Sequence, residues 1–278
     1  MASFVEAIRT EGLTRAYPNG VVGLRSLDLT VRQGEVVGLL GRSGSGKTTL
    51  FRLLVGAIRP SRGDLTVLGT SLTRARPSDL RALRRRMAWV GQQHNLVPGL
   101  SVGHNVLLGR LGQEPLWRVL ARLVYLPEQE RRAAFDVLDE LGVANKLYDR
   151  ADELSGGQQQ RVAVARALIG APRILLADEP VASVDEQTAA DVLAACLRLN
   201  RERGTTLLVS LHQPELALRL CPRIVVLDAG AVVYDGPGDG IDRAALYAYA
   251  DTSVGSQVQE EEEGGDARHA RRSTTAPF

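Results

Sequence analysis

Eight residues constrain this chain more than any other stretch: Gly41-Arg42-Ser43-Gly44-Ser45-Gly46-Lys47-Thr48. They follow the apolar run Val36-Val37-Gly38-Leu39-Leu40 and precede Thr49-Leu50-Phe51-Arg52-Leu53-Leu54-Val55. Strand, glycine-rich turn and helix in that order make a phosphate site rather than a chance string. Glycines let the backbone curl around an anion without Cβ atoms in the way. Successive N–H groups then point inward, and the start of the helix adds its partial positive charge. In such a loop Lys47 reaches the β- and γ-phosphates and the Thr48 hydroxyl ligates Mg²⁺, with Gly41 to Thr49 as the nucleotide-contacting stretch. The alternative, a plain glycine-rich loop, does not explain the strand before it and the helix after it.

Composition limits what else the chain can be. At 278 residues it can bury a full core and suits one large or two modest domains. Its 44% hydrophobic and 24% charged content are those of a soluble globular protein. A formal net charge of +2 is too small to argue for a nucleic-acid partner. Arginines cluster between Arg74 and Arg86, including Arg84-Arg85-Arg86, and a solvated face is the favoured reading over a nucleic-acid helix. Cys196 and Cys221 suggest no disulfide framework but two buried thiols in a reducing compartment. The start, Met1-Ala2-Ser3-Phe4-Val5-Glu6, lacks a basic region followed by an apolar one, so no signal peptide is expected. Met87 to Gly109 carries no Asp, Glu, Lys or Arg. Its Gln92, Gln93, His94, Asn95, Pro98, His104 and Asn105 nevertheless exclude a membrane span. The expected location is cytoplasmic.

Along the chain, Phe4 to Thr10 predicts a short strand, and Leu27-Asp28-Leu29-Thr30-Val31-Arg32 alternates as a half-buried antiparallel strand does. Tyr17-Pro18-Asn19-Gly20 predicts a turn between them. Asp64 to Gly69 predicts another strand and Met87-Ala88-Trp89-Val90 a buried one. Ala133 to Leu141 has helical spacing, with Gly142 as its stop. Pro115 to Val124 is amphipathic, which fits either surface packing or a partner-facing helix. Leu154-Ser155-Gly156-Gly157-Gln158-Gln159-Gln160-Arg161 opens the helical run Val162 to Ile169, a second candidate anion site by the logic of the first. One triphosphate rarely needs two such sites on one chain, so this one serves another subunit's nucleotide unless it is only a helix cap. Ile174-Leu175-Leu176-Ala177-Asp178-Glu179 predicts a buried strand ending in two carboxylates. Asp178 suits a role in holding Mg²⁺, and Glu179 suits accepting a proton from attacking water.

The phosphate loop, Leu154–Gln158 and Ile174–Glu179 together resemble the ATP-binding-cassette (ABC) ATPases over roughly residues 3 to 238. The resemblance implies roles that spacing alone does not give. Tyr17 would stack on adenine, and Gln92 would read Mg²⁺ and the γ-phosphate while contacting a transmembrane partner. Ser183-Val184-Asp185 would cross a dimer interface, with Asp185 near nucleotide, and His212 would act as the γ-phosphate switch. Gly91 and Val184 depart from the commoner aromatic and leucine. A finer resemblance, to the phosphonate-importer branch, rests on several stretches. These are Gln92-Gln93-His94-Asn95-Leu96-Val97, Leu107 to Gly112 with Trp117, Glu179-Pro180-Val181-Ala182-Ser183, Leu211-His212-Gln213 with Ala217-Leu218-Arg219 and Cys221, and Tyr234-Asp235-Gly236.

The implied fold is an α/β, P-loop ABC ATPase with a mainly parallel core sheet, an N-terminal antiparallel β subdomain and an inserted α-helical subdomain. The expected ATPase domain is residues 3–240, with its helical part near 93–160. Residues 241–278 are expected to hold a helix around Ala244–Tyr249 and a polar tail with Glu260-Glu261-Glu262-Glu263, whose composition predicts disorder. The resemblance further implies a head-to-tail dimer with two ATP molecules sandwiched. Ser155 and Gly157, within Ser155 to Gln158, would face the other chain's Lys47, Thr48, Gln92, Asp178, Glu179 and His212. Membrane permease subunits would be the direct partners at the cytoplasmic face, and a solute-binding protein an indirect one. The rival expectations are an ABC ATPase of another transporter, a soluble ABC protein acting on nucleic acid, and a small-molecule kinase. The last would have no use for Leu154–Gln158.

Overall fold

Two sheets meet over one helix. The computed structural model describes residues 4–91, 94–115, 117, 126–181 and 186–249. Its larger sheet runs in the order β10-β9-β3-β8-β7-β6. The central strands β3 (Val36–Leu40), β7 (Ile174–Asp178) and β8 (Thr206–Ser210) are buried at every position. Their apolar runs are near-continuous rather than alternating because parallel strands are covered on both faces. β9 (Arg223–Asp228) lies parallel to β3, and β6 (Met87–Val90) parallel to β7. Only β10 (Ala231–Pro237) is antiparallel, paired to β9 at one edge. The expectation of a buried strand at Met87–Val90 needs correcting. β6 is the other edge, where a strand has one neighbour, and of its residues only Val90 is buried while Trp89 is 37% exposed.

The smaller sheet has the order β2-β1-β4-β5 and is antiparallel throughout. It comprises β1 (Glu6–Ala16), β2 (Val22–Arg32), β4 (Arg62–Val67) and β5 (Thr70–Ser71). β1 runs further than Phe4–Thr10 because Leu13 continues its buried face after a register shift at Gly12. The turn at Tyr17–Gly20 forms as expected, with Gly20 N–H donating to Tyr17 O at 3.0 Å. Between the sheets lies α1 (Lys47–Leu54), the helix that the glycine-rich turn launches. Its Leu50, Phe51, Leu53 and Leu54 join Ile8, Leu27 and Leu65 of the small sheet and Val37, Leu39 and Leu176 of the large one in a single core. Each such side chain contributes about 1.5–3 kcal/mol of burial. The loop is thus clamped at both ends, by a central strand and by a helix that neither sheet can release.

Among the described residues the remaining α-helices are α2 (Pro77–Arg84), α3 (Val102–Leu107), α4 (Glu128–Glu140), α5 (Gly156–Leu168), α6 (Glu186–Arg203), α7 (Pro214–Leu220) and α8 (Arg243–Tyr249). A 3-10 turn, Leu108–Gln113, continues α3. α4 stops where expected, at Gly142 with φ +65°. Arg84 of the arginine cluster has a structural use: its guanidinium donates to Val55 O and Gly56 O, each at 2.9 Å, and so caps the carbonyl end of α1. α3, α4 and α5 share a core through Val102, Val106, Leu138, Leu141 and Val162. Cys196 and Cys221 are both buried, and burial pushes each thiol up to about 12. Among the described residues no helix is long and apolar enough to cross a membrane. Residues 116, 118–125 and 250–278, with most of the amphipathic stretch and the polar tail, lie outside the described residues.

Candidate functional site

The turn after β3 has the shape its glycines allow. Gly41, Gly44 and Gly46 have φ of +144°, +80° and +111°, a region that side chains rarely tolerate. A Cβ on Gly41 would sit 2.2 Å from Leu227 O and 2.6 Å from Ser45 Oγ. Lys47, the first residue of α1, is buried and its ammonium donates to Gly41 O, and to Arg42 O at 3.2 Å. The Ser45 hydroxyl is buried with no hydrogen-bond partner. A buried orphan hydroxyl beside an ammonium, at the start of a helix, fits an anionic group that would accept from all three.

The carboxylates arrive from the sheet. β7 and β8 are adjacent and parallel, so Asp178 and Ser210 end their strands side by side. Ser210 Oγ donates to Asp178 Oδ1 at 2.8 Å, and Thr48 Oγ1 donates to Oδ2 at 3.0 Å. Burial raises the Asp178 carboxyl above its ordinary value. The Ser210 and Thr48 hydrogen bonds and the Lys47 charge oppose that shift, while the neighbouring Glu179 adds to it. Glu179 follows with φ +55°, an uncommon backbone for a residue with a side chain and away from the extended form preferred before Pro180. Its backbone is held on both sides: its N–H donates to Ser210 Oγ at 2.9 Å, and its carbonyl accepts from Gln160 Nε2 at 3.2 Å. Its carboxylate lies 2.6 Å from His212 Nε2, two residues beyond the end of β8. Ser210 and Gln160 were missed in the sequence. A polar residue closing the apolar run Leu207-Leu208-Val209 was a signal for Ser210; Gln160 gave none.

The structure brings Tyr17 to the same loop. Its hydroxyl is 3.2 Å from Thr49 Oγ1, and the Arg15 guanidinium stands 4.9 Å from its ring centroid. Ser155, Gly156, Gly157 and Gln158 form the first turn of α5. Ser155 Oγ accepts from Gln158 N–H at 3.4 Å, and Gln158 Oε1 accepts from Ser155 N–H at 3.0 Å, a reciprocal cap. A Cβ on Gly156 would meet nothing within 4 Å, so this turn faces open space. The cap alternative is therefore realised without closing the anion-site reading. Gln92 and Asp185 lie outside the described residues. The segment after Gln92 is anchored from α5, whose Arg166 donates to His94 O and Asn95 O, each at 2.7 Å.

Among the described residues no group of three or more His, Cys, Asp and Glu side chains could form a self-sufficient metal cage. One carboxylate and one hydroxyl beside a phosphate loop is instead the donor set by which Mg²⁺ binds together with a triphosphate.

Comparison with known proteins agrees with this geometry. A family model described as "ABC transporter" matches residues 24–182. A protein named "Phosphonates import ATP-binding protein PhnC" from Burkholderia pseudomallei is 44% identical, over 98% of this chain and 91% of its own length. One of the same name from Lactobacillus johnsonii is 42% identical, over 82% of this chain and 89% of its own length. Among solved structures, a dimeric ATP-binding cassette in a post-hydrolysis state bound to ADP and Pi superposes with a TM-score of 0.75. It is 30% identical and covers 84% of this chain and 100% of its own. With nucleotide-binding loop, carboxylate pair and relatives in agreement, the chain belongs to the ABC transporter family, as an ATP-hydrolysing member.

Proposed function

We propose that this chain is the ATPase subunit that powers a phosphonate importer. The observation that carries the ATPase chemistry is the convergence of Lys47, Thr48, Asp178, Glu179 and His212 at the carboxyl ends of β3, β7 and β8. Ligands of open α/β sheets bind at that end. Lys47 and the loop N–H groups offset the charge of the β- and γ-phosphates. Thr48, Asp178 and Gln92 would hold Mg²⁺, which when bound neutralises phosphate charge. Glu179 accepts a proton from the water whose oxygen attacks the γ-phosphorus, and ADP leaves with the bridging electrons. His212, hydrogen-bonded to Glu179, orients that carboxylate and faces the γ-phosphate. Tyr17 stacks on the adenine.

The outward-facing turn at Ser155 supports a head-to-tail dimer in which Ser155 and Gly157 of a second copy complete each site, with Asp185 at the interface. Residues 3–240 form the ATPase domain, with its helical part near 93–160, and 241–278 hold a C-terminal helix, whose Leu246 is buried in the main core, and a polar tail. The chain sits at the cytoplasmic face of the membrane on permease subunits, fed indirectly by a solute-binding protein.

Phosphonate is favoured over other solutes because relatives so named align over most of the chain. The test reconstitutes the chain with its permease and solute-binding protein and titrates solutes into an ATPase assay. Alkylphosphonate should stimulate hydrolysis, and Lys47→Ala should abolish it. Stimulation by a sugar, an amino acid or a metal, with none by phosphonate, would reassign the solute and leave the ATPase chemistry standing.

A further inference from the structure

α5 begins at the outward-facing Ser155 turn, yet its fourth residue after Gly156 reaches back to the backbone of Glu179 in its own chain. Gln160 is 5% exposed. Its Nε2 donates to the Glu179 carbonyl at 3.2 Å, while its Oε1 is buried with no hydrogen-bond partner. A buried primary amide left half satisfied is costly, so a side chain that serves only packing would be better apolar here. The carbonyl it holds belongs to a residue in the left-handed region before a proline, a conformation that persists only when its surroundings impose it. Ser210 fixes the N–H side of Glu179, and Gln160 fixes the carbonyl side. The two clamps differ in origin. Ser210 ends a strand of the core sheet, whereas Gln160 rides on the helix whose first turn is Ser155–Gln158.

We infer that Gln160 is a positioning residue for Glu179: it ties the backbone of the hydrolytic base to α5, so nucleotide engaged at the Ser155 turn by a second copy sets the aim of this chain's own Glu179. The coupling runs within one chain, from the site it lends to the site it uses. This rests on the reading of Glu179 as base and of the Ser155 turn as a site acting across a dimer. A displacement of about 1 Å in a reacting group can cost on the order of 10²-fold in rate, so a loosened base is visible in kcat.

The experiment compares the full-length chain with Gln160→Met, which keeps length and volume but removes the donor. The expected result is a fall in kcat of roughly 10- to 100-fold. ATP affinity, read with a fluorescent nucleotide, should stay within about twofold because the loop is untouched, and the Hill coefficient for ATP should drop toward that of independent sites. Gln160→Glu gives a second reading should the Met variant fail to fold. Its carboxylate cannot donate near neutral pH, but the protonated acid can, so its relative activity should recover as pH falls. An unchanged kcat in either variant, or kcat, affinity and melting temperature all falling together in both, would overturn the proposal. Glu179→Gln run in parallel separates the layers. If that variant hydrolyses ATP at the parent rate, the base assignment itself fails. If it is inactive while Gln160→Met is normal, only the role of Gln160 fails.

Discussion

At the scale of single residues, the site depends on hydroxyls as much as on its charged groups. Ser210 donates to Asp178 Oδ1 and accepts from Glu179 N–H, so one oxygen serves both carboxylate residues. Ser210→Ala would leave a buried carboxylate oxygen and a peptide N–H without partners. The expected loss is about 1–3 kcal/mol of stability, measured by urea unfolding, with a fall in kcat larger than any change in nucleotide affinity. His94 supplies a pH prediction. Burial first, and then the Arg166 charge, lower its pKa below the ordinary 6.5. The unfolded chain therefore takes up this proton more readily than the folded one. Stability contributed at His94 is intact above the ordinary value and is lost as pH falls below it toward the folded value. His94→Gln should make the melting temperature less sensitive to acidification from about pH 7.5 to about pH 5.5. An identical acid dependence in both proteins would show that another group controls it.

Among the elements, α5 has the widest reach. Its first turn is an outward-facing cap, its middle holds Glu179 through Gln160, and Arg166 near its end holds the backbone of His94 and Asn95. It also sets how closely the preceding 3-10 turn can approach. A Cβ on Gly109 would lie 1.8 Å from Arg166 O and 2.7 Å from Ile169 Cγ2. Backbone cannot step aside as a flexible side chain can, so Gly109→Ala must push Leu108–Gln113 away from α5. Overpacking of this kind costs roughly 1–3 kcal/mol, and a melting temperature lower by several degrees is expected. The Leu107–Gly112 stretch, which in the sequence serves only as a resemblance, thus has a physical reason at one position. A Gly109→Ala protein as stable as the parent would show that the approach is softer than it looks.

For the whole molecule, the central prediction is that two incomplete chains make one complete site. Thr48 and Asp178 join the phosphate loop to the carboxylate pair within one chain, while the Ser155 turn satisfies its own cap and faces open space. In a dimer mixing Lys47→Ala chains with Ser155→Arg chains, one site combines both defects and the other has neither. Such mixed dimers should regain hydrolysis that each variant lacks alone, since groups supplied in trans to phosphoryl transfer are worth on the order of 10³–10⁵ in rate. Stable mixed dimers at saturating ATP with no hydrolysis would show that the sites do not form across the interface.

Local chemistry is what the sequence by itself determined. The strand–turn–helix around Gly41–Thr48, the Ser155 cap and the carboxylates closing Ile174–Ala177 are each specified within about ten residues, by φ preferences, hydrogen bonds between near neighbours and unbroken apolar runs. Sheet order is not local, and it made the decisions that remained. Periodicity cannot tell an edge strand from a central one, so Met87–Val90 read as buried although it lies at the margin with Trp89 in solvent. The same sheet order puts Ser210 beside Asp178 across 32 residues of chain, and helix packing puts Gln160 under Glu179 across 19. Tyr17 comes to Thr49 only because two sheets close over α1. Those contacts arise from burying apolar faces far apart in the chain, and no window of neighbouring residues contains that information.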